Sequence, residues 1–319
     1  MASPGRRYSI VVDRVVDACA GHDRQAVRAL AFDRRRALVG VLGHDPVLWH
    51  EAAPGRVAAL CELEADASFD PTAVLFSRDC SLIVAGHPGQ VRAYEVSSGA
   101  LLWERDCPWW ELFELDLDSI VCVEYQPRRS AAYAVIELRS GVERSRREIE
   151  PLATPTATVE RGSVRVFEVR NIIADRRPGS LVSAARQEVP AFSIDPCAHA
   201  RLWPKKIAGG ELFLALSYGG EIIQAFASLN GGRSWTPKSR LVALGSMKNG
   251  AVIVAARDSI PATLVLLNGS TGSELASFRL PTEQAEAIVC ATLDDDSTLA
   301  LGTSLGRAIV LSITSEPDT

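Results

Sequence analysis

Between Pro71 and Cys107 the chain passes through four short apolar segments, each closed by a polar or glycine-bearing turn. The segments are Ala73 to Ser77, Ser81 to Ala85, Val91 to Val96 and a last one holding Trp103, and the turns fall at Arg78-Asp79, Gly86 to Gly89 and Ser98-Gly99. Apolar positions alternate or come in runs of four to six, with Val, Ile, Thr and aromatic residues prominent. That is the signature of strands rather than of amphipathic helices. Four such strands make a sheet that cannot bury both of its faces alone, so the unit needs like units stacked against it.

The unit recurs. Turn glycines stand at Gly55, Gly99, Gly141, Gly232 and Gly272, at intervals of 44, 42, 91 and 40 residues. Since 91 is two periods, the spacing matches the ~40 to 45 residues of a four-stranded propeller blade. The expected fold is therefore all-β: a single β-propeller over 1–319, with seven blades of four antiparallel strands and six or eight blades as the alternatives. The blades run over Ala26 to Leu63, Pro71 to Cys107, Trp110 to Glu150, Thr156 to Val189, Phe192 to Lys238, Leu241 to Leu280, and from Glu286 onward. The fourth has only SVRVFEVRN and SLVSAARQEV as clear strands, and the last has three. A β-rich segment left over at the amino terminus, Tyr8 to Val16, supplies the missing strand and removes two exposed sheet edges. Residues 1–17 are thus expected to close the ring, 18–314 to form the blades and 315–319 to be a tail, with Tyr8 to Val16 pairing with Arg307 to Thr314.

Charge and cysteine usage narrow the function classes. A formal charge of -5 gives no global reason to expect nucleic acid or an anionic membrane as a partner. Only four of the 34 basic residues are Lys (Lys205, Lys206, Lys238, Lys248), which suggests a bacterial codon bias. Asp13, Arg14 and Asp17 interrupt the apolar run near the amino terminus, so no export signal is legible, and no window reaches the length of a membrane helix. Seven cysteines, an odd number with no CxxC pair, suit reduced thiols in a cytoplasm without disulfides. His44 and His50 flank one strand, but the five histidines show no zinc spacing, and no metal or cofactor is expected.

Several segments carry family likenesses. The order strand, polar turn, Leu82 to Gly86, Val91 to Val96 resembles WD40-type repeats. Tyr94 to Glu104, YEVSSGALLWE, is similar to a quinoprotein-type propeller repeat, in which Trp follows the turn Gly by four residues. The chain has no Trp-Asp dipeptide and no regular Gly-His pair. Together the likenesses imply the propeller superfamily. Ser228 to Trp235 is similar to the Asp-box of sialidases, with Asn230 for Asp and Ser234 for Thr, and implies a structural hairpin with Trp235 packed beneath it.

Chemistry-bearing motifs are few. Phe278-Arg279-Leu280-Pro281 resembles the Phe-Arg-Ile-Pro motif whose Arg binds a carboxylate, which implies a sialidase-like glycosidase acting at a channel mouth as the alternative function. The plainer account is a strand stopped by Pro281. Asp294-Asp295-Asp296 is expected to be a solvated turn rather than a cation site. No phosphate-binding loop and no GxSxG elbow occurs. From Arg128 to Arg186 twelve Arg face seven acidic residues, and the Trp109-Trp110 pair precedes that stretch. Interfaces enrich Trp and Arg. The expected function is a non-catalytic scaffold binding another protein through Trp109, Trp110, Arg128, Arg129, Arg144, Arg146 and Arg147, with the solvated-edge account of these arginines about equally weighted.

Overall fold

The computed structural model describes residues 6–19, 25–33, 37–43, 47–62, 73–77, 79–87, 89–106, 109–114, 118–126, 130–149, 153–160, 163–170, 179–183, 188–192, 201–207, 210–216, 221–226, 234–247, 252–257, 261–283, 286–294 and 298–317. They form strands joined by turns. After β1 (Arg6–Asp17), the first sheet holds β2 (Val27–Phe32), β3 (Leu38–Leu42), β4 (Val47–Ala53) and β5 (Arg56–Glu62). The second holds β6 (Ala73–Phe76), β7 (Leu82–His87), β8 (Gln90–Glu95) and β9 (Leu101–Asp106). The third holds β10 (Trp109–Glu114), β11 (Ser119–Gln126), β12 (Ser130–Glu137) and β13 (Glu143–Ile149). In the fourth are β14 (Ala153–Glu160), β15 (Ser163–Arg170), β16 (Gly179–Ser183) and β17 (Glu188–Phe192), and in the fifth β18 (Arg201–Ile207), β19 (Gly210–Leu216), β20 (Ile222–Phe226) and β21 (Ser234–Trp235). The sixth has β22 (Leu241–Ser246), β23 (Val252–Arg257), β24 (Thr263–Asn268) and β25 (Glu274–Arg279). The seventh has β26 (Ile288–Leu293), β27 (Thr298–Thr303) and β28 (Arg307–Pro317), in the order β1-β28-β27-β26.

All seven sheets are antiparallel and, except for β1, take their strands in chain order. The amino-terminal strand pairs with β28 from Arg6↔Pro317 to Asp17↔Arg307, the pairing expected from the leftover segment, and β28 continues to Pro317 where a tail was expected. Three strands escaped the hydrophobic pattern: β14, ATPTATVE; β17, EVPAF, which the pattern joins to β16 as the single strand SLVSAARQEV and whose Phe192 belongs to the fourth sheet rather than the fifth; and β18, RLWPKKI. Each contains a proline and each is an edge strand, where a missing N–H breaks no ladder.

Neighbouring sheets pack face to face. Val27, Leu30, Leu38 and Trp49 of the first cluster with Ala300, Ala308 and Val310 of the seventh. Ala29, Val41 and Leu48 meet Phe76, Ile83 and Tyr94 of the second, and Leu82, Val84 and Val91 meet Ile120, Cys122 and Ala134 of the third. Leu214 and Ile222 join Leu241 and Ile253, while Val252 and Leu264 join Leu299 and Ile309. First strands are the neighbours along one side: β2 lies against β26 and β6, β10 against β6 and β14, β14 against β18, and β22 against β26. A bridge from Glu221 to Val242 joins the fifth and sixth sheets.

Side chains stiffen the repeated turns. Between first and second strands, Asp33, Ser77 and Asp294 accept the amides of Ala37 (2.9 Å), Leu82 (2.9 Å) and Thr298 (2.7 Å). Asp79 Oδ1 gathers the Ser77 and Ser81 hydroxyls and the Ser81 amide, which holds the intervening Cys80 at φ 54 although it is not glycine. Between third and fourth strands, Gly99, Gly141 and Gly272 have φ of 70, 69 and 69 and donate back to Glu95, Glu137 and Asn268. That left-handed conformation costs a Cβ-bearing residue, hence the glycine at each turn.

Candidate interaction face

Two tryptophans tie a sheet to the next through the same turn. Trp103 on β9 donates Nε1–H to Leu138 O at 2.7 Å, and its ring covers Gly141 so closely that a Cβ there would sit 2.7 Å from it. Trp235 on β21 repeats the arrangement with Gly269 O at 2.8 Å and Gly272, where a Cβ would come within 2.4 Å of the ring. Trp103 is buried, as expected, whereas Trp235 is half-buried. Glycine at this turn therefore supplies both the backbone conformation and the space for a ring from the neighbouring sheet. Beside Trp103, Arg105 pairs with Glu143 of the third sheet.

Beyond this lock lies β13. Its residues Arg144, Arg146 and Glu148 are exposed, as is Val142 just before it, to 58%. Arg144 pairs with Glu137 at 2.6 Å, and Arg146 with Glu148 at 3.2 Å and Glu143 at 3.7 Å. Such exposed pairs contribute little to stability, so these arginines are open to exchange for an incoming acidic group. Leu102, 42% exposed on β9, extends the apolar part of the rim.

The expected Trp and Arg face divides into parts. Trp109 and Trp110 lie on β10 and Arg144, Arg146 and Arg147 on β13, the opposite edge of the same sheet. Three strand spacings, roughly 14 Å, separate the two edges. Arg128 and Arg129 lie outside the described residues, as do Ser228 to Arg233 of the Asp-box-like segment, His44, Asp295 and Asp296. Arg279 is exposed on β25, the last strand of the sixth sheet, while Leu280 behind it is buried and Pro281 O accepts from Arg307 at 3.0 Å. The Phe-Arg-Leu-Pro segment is thus a strand end fastened to the seventh sheet.

Among the described residues, two carboxylates that the sequence did not single out are the most enclosed. Glu51, 3% exposed on β4, receives a bidentate contact from Arg14 of β1 (2.7 and 2.8 Å) and the amides of Gly55 (2.9 Å) and Leu38 (3.3 Å). Burial pushes its carboxyl up, but the Arg14 hydrogen bonds and the two amides outweigh it and hold the group below its usual value. Glu286, 6% exposed, stands likewise: burial raises it, and Arg307, Thr303 and the Glu283 amide bring it below normal. Glu95 and Glu137 are lowered chiefly by the turn hydroxyls Ser98 and Ser140. Burial pushes the Cys290 thiol up to about 12. Cys19, Cys80, Cys122 and Cys290 are free thiols, and among the described residues no His, Cys, Asp and Glu gather into a metal-binding group.

No protein-family model matches the chain, and no curated protein does. Solved structures do. A chain of the mitotic checkpoint complex aligns with a TM-score of 0.64 at 14% identity, covering 96% of this chain and 93% of that one. The WD40 β-propeller domain of Doa1 aligns with a TM-score of 0.62 at 14% identity over 95% and 97% of the two chains. The chain is a β-propeller. BamB from Moraxella catarrhalis aligns as well, with a TM-score of 0.55 at 13% identity over 95% and 98% of the two chains. At these identities the likeness carries the fold and not the activity.

Proposed function

We propose that this propeller has seven blades closed by the amino-terminal strand and serves as a non-catalytic scaffold that binds another protein in a bacterial cytoplasm. Seven four-stranded sheets whose first strands neighbour one another, and a seventh completed by β1, support the ring. The scaffold role rests on one observation above all. Among the described residues, every carboxylate with a displaced ionisation is displaced downward, and each is engaged by the fold's own turns and strand contacts. A hydrolase acid needs a carboxyl pushed the other way. WD40 domains stand among its structural neighbours, beside a chain from an assembly, the mitotic checkpoint complex.

The binding face assigned to this role is the rim carrying Leu102, Val142, Arg144 and Arg146, where apolar surface adjoins exchangeable arginines. The test is affinity capture from the native source, identification of the captured protein, and rebuilding of the complex from purified components. Arg144, Arg146 and Arg147 to Glu in one variant should abolish that complex while leaving the melting curve nearly unchanged. Unaltered binding rules out the rim. Turnover of fluorogenic glycosides by the wild type, lost in Arg279→Ala, would favour the glycosidase instead.

A further inference from the structure

Four of the seven first strands carry an irregularity that β6, β14 and β18 lack. In β2 the ladder to β3 slips between Val27 and Ala29, in β10 between Trp109 and Glu111, and in β26 between Ile288 and Cys290. Arg28, Trp110 and Val289 are the extra residues, each four positions before its strand ends. A fourth slip, at Leu244 in β22, lies closer to its strand end. Bulges re-aim a side chain out of the alternating pattern and gather near binding sites.

Two of the bulges touch. Strands β2 and β26 are neighbours, and Cys290 Sγ donates to Val27 O at 3.3 Å, so Arg28 and Val289 flank a direct contact between the first and seventh sheets. Flanking residues take up the packing faces. Val27 packs against the seventh sheet and Ala29 against the second, while Ile288 packs against the sixth and Cys290 against the first. The bulged residues belong to none of these clusters. Val289 is accordingly 41% exposed, although it is apolar and on a strand neighboured on both sides. Arg28 is half-buried, its Nε is enclosed with no hydrogen-bond partner, and it makes no ion pair among the described residues. A guanidinium is seldom buried unpaired, and an unsatisfied buried donor is costly unless something supplies the acceptor.

We propose that the adjoining bulges at Arg28 and Val289 form a binding site for a small organic anion, a carboxylate or sulfonate carried on an apolar group, with Arg28 pairing the charge and Val289 receiving the apolar body. An anion gives Arg28 Nε an acceptor, and covering Val289 removes apolar surface from water. The site is separate from the outer rim, and it stands or falls independently of the scaffold role.

The probe is 8-anilinonaphthalene-1-sulfonate, which joins a sulfonate to an aromatic body and fluoresces when sheltered from water. Titration of the full chain should show one saturable site weakened by salt. Arg28→Gln should weaken it at least about tenfold, the loss of one charge-assisted contact, and Arg28→Lys should fall between the two. Val289→Asp should weaken it as well, and Arg56→Gln, at an exposed position of the same sheet, should leave it unchanged. Circular dichroism melts identify any variant that fails to fold, in which case the other two at these positions decide. Unchanged affinity in the folded Arg28 or Val289 variants, or no saturable binding by the wild type, overturns the proposal.

Discussion

Replacing Arg14 by Met tests how the amino-terminal strand is held. Met keeps an unbranched apolar stem and removes the charge and both donors, which leaves the Glu51 carboxylate, 3% exposed, with the Leu38 and Gly55 amides alone. Breaking a buried ion pair on one side costs about 3 to 5 kcal/mol. Uptake of a proton by Glu51 sets a ceiling. Neutralising a carboxyl of ordinary pKa ~4.3 at pH 7 costs about 3.7 kcal/mol, at 1.36 kcal/mol per unit, and at pH 5 only about 1 kcal/mol. The penalty of Arg14→Met should therefore shrink about fourfold between pH 7 and pH 5, since in the wild type the lowered pKa keeps Glu51 ionised at both.

The assay is hydrogen exchange of peptides covering β1, read beside urea unfolding at both pH values. Because Arg14 reaches from the seventh sheet to the first, the loss should appear as a local opening of β1, with its amides exchanging roughly 10²- to 10³-fold faster relative to wild type at pH 7. Arg14→Met combined with Glu51→Gln should cost less than the single Arg14 change, because no buried charge is then stranded. A penalty equal at pH 5 and pH 7, or β1 exchange unchanged from wild type, would refute this account of the latch.

Other expectations follow from the same contacts. Trp103→Ala should cost roughly 3 to 5 kcal/mol in urea unfolding, and acrylamide should quench Trp103 far less than a model indole. Gly141→Ala should destabilise by a strained left-handed backbone and by displacing the Trp103 ring, whereas Gly55→Ala, with open space at its Cβ, bears only the backbone part, about 1 to 2 kcal/mol. Since the folded pKa values of Glu51 and Glu286 lie below normal, their stabilisation is present above pH ~4.3 and lost as the pH falls through the folded values; melting temperatures should drop below pH ~4, and Glu286→Gln should flatten that drop. Native Cys290, with its thiol pushed up to about 12, should resist iodoacetamide at pH 8.

The repeat was legible because its turns make chemical demands that few residues meet. Gly99, Gly141 and Gly272 mark left-handed turns, and Asp33, Ser77 and Asp294 are short acceptors where a strand's first amide needs one. Strands β14, β17 and β18 were missed because a proline-bearing edge strand need not be apolar. The tryptophans read correctly as packing residues, but their partners did not. The carbonyls that Trp103 and Trp235 engage lie 35 and 34 residues further on, in the next sheet, and composition holds no record of that contact.

The Trp and Arg face shows the same limit from the other side. Proximity along the chain suggested proximity in space, yet in a sheet ordered β10-β11-β12-β13 the first and last strands are the most distant pair. What the repeat conserves is position within a sheet, so function is better sought among residues one period apart than among neighbours in sequence. Arg28 and Val289 stand far apart in the chain and hold one position in their respective sheets; the ladder slips at both, and the two strands touch. Bulges leave no compositional mark, since Arg, Trp and Val fill three of them here, and only the register reveals that these residues hold one backbone position. A blade sequence fixes its scaffold through the turns and packing faces. The residues released from that pattern are therefore the ones free to take on binding.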